Sequence, residues 1–264
     1  MDVLAYDLFK QIGSQLSNFD AHTYDTYVTP VVTNVTMKIG LYLMIFFFIM
    51  EVAKIFQQAN QNNDGNVAPV TILQCGVYFL LAGAMVAGSL VILNFLNMII
   101  VGGINLLHGT GSYNVFSFTA PKLTMPGFSF TDIGGFVGNV ITAAISWIVS
   151  FLVGIVASVI MMVLITVRVI QLYVYTILSP IAFSSFASSE YRSIGVGFIK
   201  SYFALLIQGM VMLVILGVYN AFNGSWDTSG VTDTTLASLV FPVAMCYLLF
   251  KSNSIAKAIV GLAG

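Results

Sequence analysis

Charge is what this sequence has least of. Asp, Glu, Lys and Arg make up 7% of its 264 residues, against 58% hydrophobic residues. No charged residue occurs from Gly65 to Pro121, and from Ile133 to Ser189 there is only Arg168. A water-soluble domain carries roughly a quarter of its residues as charges. These runs exclude that class and place the chain in a bilayer, which it crosses several times. Net charge is -1, so no global basic field exists to attract nucleic acid. Cysteine is scarce as well. Cys75 and Cys246 lie in apolar stretches, outside any CxxC pair. They read as two buried thiols, not as a disulfide framework or metal site.

Catalytic groupings are also missing. His22 and His108 are isolated and lie outside the apolar runs, which suggests no histidine metal site. No Ser/His/Asp set can be placed at one depth, so an enzyme is not expected. The run GVGFIKS (Gly195 to Ser201) resembles a phosphate loop but has Ile199 where Gly must precede the Lys. No ATP hydrolysis is therefore expected. There is neither an intramembrane carboxylate chain nor an inverted repeat of broken helices, which leaves a secondary transporter poorly supported. The start, MDVLAYDLFK, has Asp2 and Asp7 where a signal peptide needs a basic region.

What is present is a set of long apolar segments. The sequence predicts an all-α polytopic membrane protein with about five spans, near 31–56, 71–101, 133–178, 195–222 and 236–250. Glu51 and Lys54 mark the end of the first, and Ser179-Pro180 closes the third. The third is unusually long. Its 46 residues, Ile133 to Leu178, would extend roughly 70 Å as a helix, against about 30 Å of hydrocarbon. It either bends or stands clear of the membrane. Lys and Arg near the span ends set the orientation. An external N-terminus leaves Lys54, Arg168, Arg192, Lys200, Lys251 and Lys257 inside, against Lys10, Lys38 and Lys122 outside. The C-terminus is then inside.

Residues 1–30 read as an external segment. Leu4, Leu8, Ile12, Leu16 and Phe19 share one helical face there, opposite Asp7, Lys10 and Gln11. That amphipathic helix lies on the membrane surface, on a partner, or on its own protein. The external loop 102–132 alternates apolar and polar residues, with Phe116, Phe118, Phe128 and Phe130. This pattern suggests short strands. Those phenylalanines need cover from the same chain, from headgroups or, the favoured reading, from another subunit.

Within the spans, small residues form stripes: Gly76, Gly83, Ala84, Ala87 and Gly88 in the second, and Thr142, Ser146, Ser150, Gly154 and Ser158 in the third. Gly209 and Gly217 lie in the fourth. Such stripes are packing seams or, less favoured, a polar lining. Asn94 and Asn97 share a face of the second span, and Gln208 lies within the fourth. Each amide needs a partner, from a neighbouring helix or from a substrate. Arg168 either snorkels to headgroups or makes an intersubunit or pathway contact. Asn94, Asn97 and Gln208 could accept from it only at similar depth.

One region carries a resemblance. RVIQLYVYTILSPIAFSSFASSEYRSIGVGFIKSYFALLIQGMVMLVI (Arg168 to Ile215) has an Arg, an aromatic helix end with Tyr173 and Tyr175, then Ser179-Pro180. A polar turn with Glu190 and Tyr191 follows, then Gly195, Lys200 and Gln208-Gly209. This resembles the core of the TrbL-type polytopic membrane subunit of conjugation machines, in the versions found in Gram-positive conjugative elements. It covers about a fifth of the chain, and the loop 102–132 is short beside those of many relatives. The resemblance implies a non-catalytic scaffold in the bacterial cytoplasmic (inner) membrane. It implies a ring-like homo-oligomer, with five copies as the best single number. No cofactor is implied beyond structural phospholipid between subunits. The implied partners are pilin, pilus-tip or channel subunits outside, and ATPases or a bitopic accessory subunit at the internal turn 179–194. DNA enters only as transported substrate. Arg168 and Pro180 would shape the inner end of the third helix. The alternative is a small-solute channel lined by Asn94, Asn97, Arg168 and Gln208.

Overall fold

The computed structural model describes residues 21–61, 69–110, 133–225 and 231–262. Most of the expected amphipathic N-terminal helix, and the Phe-rich stretch with Phe116, Phe118, Phe128 and Phe130, lie outside the described residues. The described residues are almost entirely helical, with no strand among them. The helices are α1 (Met37–Gln61), α2 (Pro69–Ala87), α3 (Ser89–Thr110), α4 (Ile133–Ser184), α5 (Arg192–Ser225) and α6 (Val231–Ile259). Among the described residues, four stretches are long and apolar enough to cross a membrane: Tyr24–Asn60, Ser89–Leu106, Met162–Ala187 and Arg192–Val218. Thr71–Ala87 is a shorter apolar helix.

Residues 21–36 lead into α1 without interruption, so the first long helix starts before the expected boundary at 31. Two π turns, Tyr24–Val28 and Val32–Thr36, lie in this lead. Their positions follow from the burial pattern. Tyr24, Val28, Val32, Thr36, Gly40 and Met44 are all buried, at a strict spacing of four. In an α-helix a fourth-residue stripe drifts by about 40° per step. The wider π turns take up that drift and keep the stripe on the core. The direction of α1 follows from three contacts. Tyr24 faces Tyr173, Gly40 faces Pro180, and Glu51 meets Ser188. The first long helix therefore runs parallel to the C-terminal half of α4.

The expected second span is one path with a kink. Gly88 separates α2 from α3, yet its N–H still donates to the Ala84 carbonyl at 2.8 Å, and Ile92 N–H donates back to the Gly88 carbonyl at 3.0 Å. The helix bends there without ending, as glycine allows. Tyr78 lies against Arg192 and Gly103 against Met210, so α2 and α3 advance together along α5. The stretch expected to be loop from Gly102 is helical as far as Thr110, with Gly102 and Gly103 inside the helix.

Helix α4 is a single 52-residue helix, about 78 Å long at 1.5 Å per residue. It does not close at Ser179-Pro180; it passes through Pro180 and ends in a tight turn, Ser185–Ala187. Pro180 has no N–H for the carbonyl four residues back, that of Thr176. The Ser179 hydroxyl donates to this carbonyl at 2.8 Å instead. In an apolar medium that repair keeps the helix intact. Ser179→Ala is expected to cost about 1 kcal/mol. In a Pro180→Ala background, where the backbone N–H returns, the same change should be nearly neutral. Unfolding titrations of the four proteins in detergent check this; equal costs in both backgrounds would sink the account.

Helix α5 returns antiparallel along α4. Phe198 packs edge-on to Phe183 at 5.9 Å, and farther along α5 Leu205 and Leu206 lie beside Arg168. Helix α6 packs on both α4 and α5. The fully buried centre includes Leu93, Ile104, Phe183, Tyr202, Leu206 and Met212. Cys75 is buried and Cys246 half-buried, both as free thiols.

Candidate functional site

Two constellations stand out, one deep in the bundle and one at the Glu51 end. The deep one centres on Arg168, which is 5% exposed. Its Nε donates to the Leu205 carbonyl at 3.1 Å and its Nη2 to the Leu206 carbonyl at 3.4 Å. Gly209 makes this possible. A Cβ at 209 would land on the guanidinium, so only a residue without one leaves the notch open. Arg168 does not snorkel. Carbonyls on α5 lie within reach, whereas the end of the uncharged run at Leu178 lies about 15 Å farther along the helix. A planar fork of donors suits two neighbouring carbonyls, which a lysine could not engage in the same way.

The expected convergence of amides on Arg168 does not form. Its acceptors are the two carbonyls, not Asn94, Asn97 or Gln208. Gln208 is buried and turns to α6, where its Nε2 donates to Ser252 Oγ at 3.3 Å, while its Oε1 lacks a partner. Asn94 accepts from the Tyr24 hydroxyl at 3.3 Å. Asn97 is buried whereas Asn94 is exposed, so their burial differs despite the shared face. Tyr173 is half-buried, its ring centroid 6.3 Å from that of Tyr24. Tyr202, fully buried, places its hydroxyl beside Thr176 without a well-formed hydrogen bond. Of the small-residue stripes, Gly83 rests on Met44, Gly88 separates α2 from α3, and a Cβ at Gly76 would meet nothing within 4 Å. The side chains of Thr142, Ser146, Ser150, Gly154 and Ser158 lie outside the described ones.

At the other end, the turn between α4 and α5 is clamped by α1 and α2. Glu51 Oε2 accepts from the Ser188 hydroxyl at 2.8 Å and from the Ser189 N–H at 3.1 Å. Ser188 Oγ accepts in turn from the Glu190 N–H at 3.3 Å. Phe47 packs on Tyr191 at 5.0 Å, and Arg192 lies 4.0 Å over the Tyr78 ring. Gly195 admits Phe186, whose ring edge would be 2.5 Å from a Cβ there. Lys54 and Glu190 form a 3.7 Å ion pair, both well exposed. Lys200 is exposed. Glu51→Ala is expected to release the turn, with Ser189 amide exchange about tenfold faster, as the loss of one to two hydrogen bonds to a charged group implies. Lys54→Ala should shift stability by no more than about 0.5 kcal/mol, since exposed pairs contribute little. Unchanged exchange in Glu51→Ala would show that the ring contacts alone hold the turn.

Sequence reasoning missed Gly40, Glu51, Tyr78 and Tyr202. Glu51 carried a signal, a carboxylate at a span end, but it was read as a boundary mark. A lone glycine within an apolar run was the signal at Gly40. Among the described residues no group of three or more His, Cys, Asp or Glu is placed to hold a metal ion. No family model matches this chain, and no curated protein or solved structure matches it.

Proposed function

We propose that this chain is the polytopic membrane subunit of a type IV secretion (conjugation) machine. It is a non-catalytic scaffold or channel subunit that supports pilus or channel assembly and the transfer of DNA or protein substrate. It crosses the bacterial cytoplasmic membrane five times, with α2 and α3 as one kinked pass, its N-terminus outside and its C-terminus inside. It works as a ring-like homo-oligomer, five copies being the best number, with phospholipid between subunits.

The observation that carries this reading is how the polar groups within the apolar helices are engaged. Arg168 bonds to the α5 backbone, Gln208 to Ser252 on α6, and Asn94 to Tyr24. Each joins two helices, which suits a rigid scaffold. A solute path would need these groups to converge. The clamped turn from Ser184 to Lys200, with Glu190 and Lys200 exposed, then faces cytoplasmic ATPases or the bitopic accessory subunit. The segments beyond the opposite end face pilin, pilus-tip or channel subunits.

The test is single-particle imaging of the protein extracted into nanodiscs from cells that carry its element. The expected result is a symmetric ring with co-purifying secretion subunits. A monomer with a closed polar cavity, and solute flux in liposomes from this chain alone, would overturn the reading in favour of a small-solute channel.

A further inference from the structure

We infer that the membrane–water boundary steps inward along α6: water and lipid headgroups reach the level of Gln208 on that side, while hydrocarbon reaches the Glu51 end on the other. Five residues separate the end of α5 from the start of α6, and Gln208 meets Ser252, so the two helices run antiparallel. Sixteen residues separate Gln208 from Arg192, which lies at the turn. At 1.5 Å per residue Ser252 therefore stands about 24 Å from the turn, measured along α5.

At that level the exposed face of α6 changes character. Val243, Tyr247, Leu248 and Phe250 are exposed and either aliphatic or aromatic. The exposed positions that follow include Lys251, Ser254 and Lys257, with Ile255 and Ile259 among them. Lys200 is exposed on α5, about 12 Å from the turn. The Lys251 ammonium donates to the Tyr247 hydroxyl at 3.4 Å, on the side away from the turn. It does not snorkel toward the Glu51 end, and no side chain could cover that distance. From Phe250 to Ile259, and along α4 and α5, there is no Asp or Glu to neutralise these lysines. Hydrocarbon cannot hold them; local thinning brings water and headgroup phosphates to such charges instead. Two enclosed acceptors lie at the same level. Gln208 Oε1 and Asn253 Oδ1 have no hydrogen-bond partner in the bundle, and water arriving there would satisfy both.

The α1–α2 side sets a different level. Exposed Ile45, Phe46, Ile49 and Met50 run up to Glu51, whose carboxylate meets the turn. Exposed Leu73, Val77, Leu80 and Leu81 flank Tyr78, which carries Arg192 on its ring. Faces of this composition suit hydrocarbon as far as the turn. Tilting the molecule does not reconcile the two levels. Helices α1 and α6 both pack on α4, so their axes lie no more than about 20 Å apart. A 24 Å offset over that width needs a tilt of about 50°, beyond the usual range. The boundary therefore steps across the molecule. The step follows from the membrane class alone and holds whichever machine the chain serves.

The test uses the full chain in its native membrane, with Cys75 and Cys246 replaced by Ala. Single cysteines are introduced by Lys251→Cys or Ser254→Cys and, for comparison, by Ile45→Cys, Val77→Cys or Val243→Cys. A charged, membrane-impermeant thiol reagent is applied to spheroplasts and to inverted vesicles. Positions 251 and 254 should be labelled from one side of the membrane at least about tenfold faster than 45, 77 and 243, as the cost of bringing a charge into hydrocarbon implies. Protection of 251 and 254 from both sides would overturn the step, because α6 would then face hydrocarbon. Equally fast labelling of 45 and 77 would overturn it too, because the whole Glu51 end would then stand clear of the membrane. Neither result bears on the secretion reading, whose own test is the oligomer and its co-purifying subunits.

Discussion

Gly209→Ala is expected to cost on the order of 3 kcal/mol, whereas an ordinary Gly→Ala change within a helix stabilises by up to about 1 kcal/mol. A Cβ at 209 would occupy the space of the Arg168 guanidinium. The arginine cannot simply step aside, because it is buried and its Nε and Nη2 bond to the Leu205 and Leu206 carbonyls. Displacing it leaves a buried charge without its acceptors, the kind of loss that costs about 3–5 kcal/mol. The diagnostic measurement is a double-mutant cycle in detergent. Arg168→Ala alone is expected to destabilise, and Gly209→Ala added to it should cost less than about 1 kcal/mol. The two sites would then couple by about 2 kcal/mol or more. Additive effects would show that Gly209 does not serve Arg168. Arg168→Lys should rescue little, since a lysine lacks the planar fork that bridges two carbonyls.

Gly40→Ala is the second large effect, expected at about 2–3 kcal/mol. The new Cβ would lie 2.6 Å from the Pro180 carbonyl oxygen and 2.8 Å from its carbon. These are backbone atoms, so no side chain can rotate away, and the first long helix must separate from α4. Overpacking of this kind typically costs about 1–3 kcal/mol. Separation also forfeits the close approach on which helix association in lipid depends. The bond from Glu51 to the turn would suffer with it, because one contact holds α1 to α4 and the other holds it to the turn that directly follows α4. Gly76→Ala is the control, since nothing lies within 4 Å of that position. It should be neutral or slightly stabilising through helix propensity. If the two substitutions prove equal in an unfolding titration, the close crossing at Gly40 and Pro180 does not hold the bundle together.

Arg168 illustrates how far local reasoning reaches. Its isolation in an apolar run marked it as a residue with a purpose. The two readings offered were headgroup contact and a contact with another subunit or a pathway. The acceptors turned out to be main-chain carbonyls on α5, which no side-chain pattern announces. Pro180 illustrates the reverse case. Proline was read as a stop because it removes a hydrogen bond, but the adjacent Ser179 hydroxyl fills the vacated position. The repair was present in the sequence as a Ser-Pro pair and was read as punctuation. Tyr24 and Val28 fell within residues 1–30, which read as an external segment, yet both are buried where the first long helix begins. The π turns that keep them on the core depend on what lies beside the helix.

The sequence by itself determined the class of this protein. A charge-free run as long as a bilayer is thick has one stable solution, a helix that satisfies its own backbone, whatever its neighbours are. That is why the helices fall close to where the apolar runs predicted them. Tertiary structure alone decided the pairings: Gly209 with Arg168, Gly40 with Pro180, Glu51 with Ser188, and the kink that carries α2 into α3. Each joins residues far apart in the chain or depends on which face of a helix meets its neighbour. In lipid that choice is made by shape and by single hydrogen bonds, because apolar residues prefer one neighbour scarcely more than another.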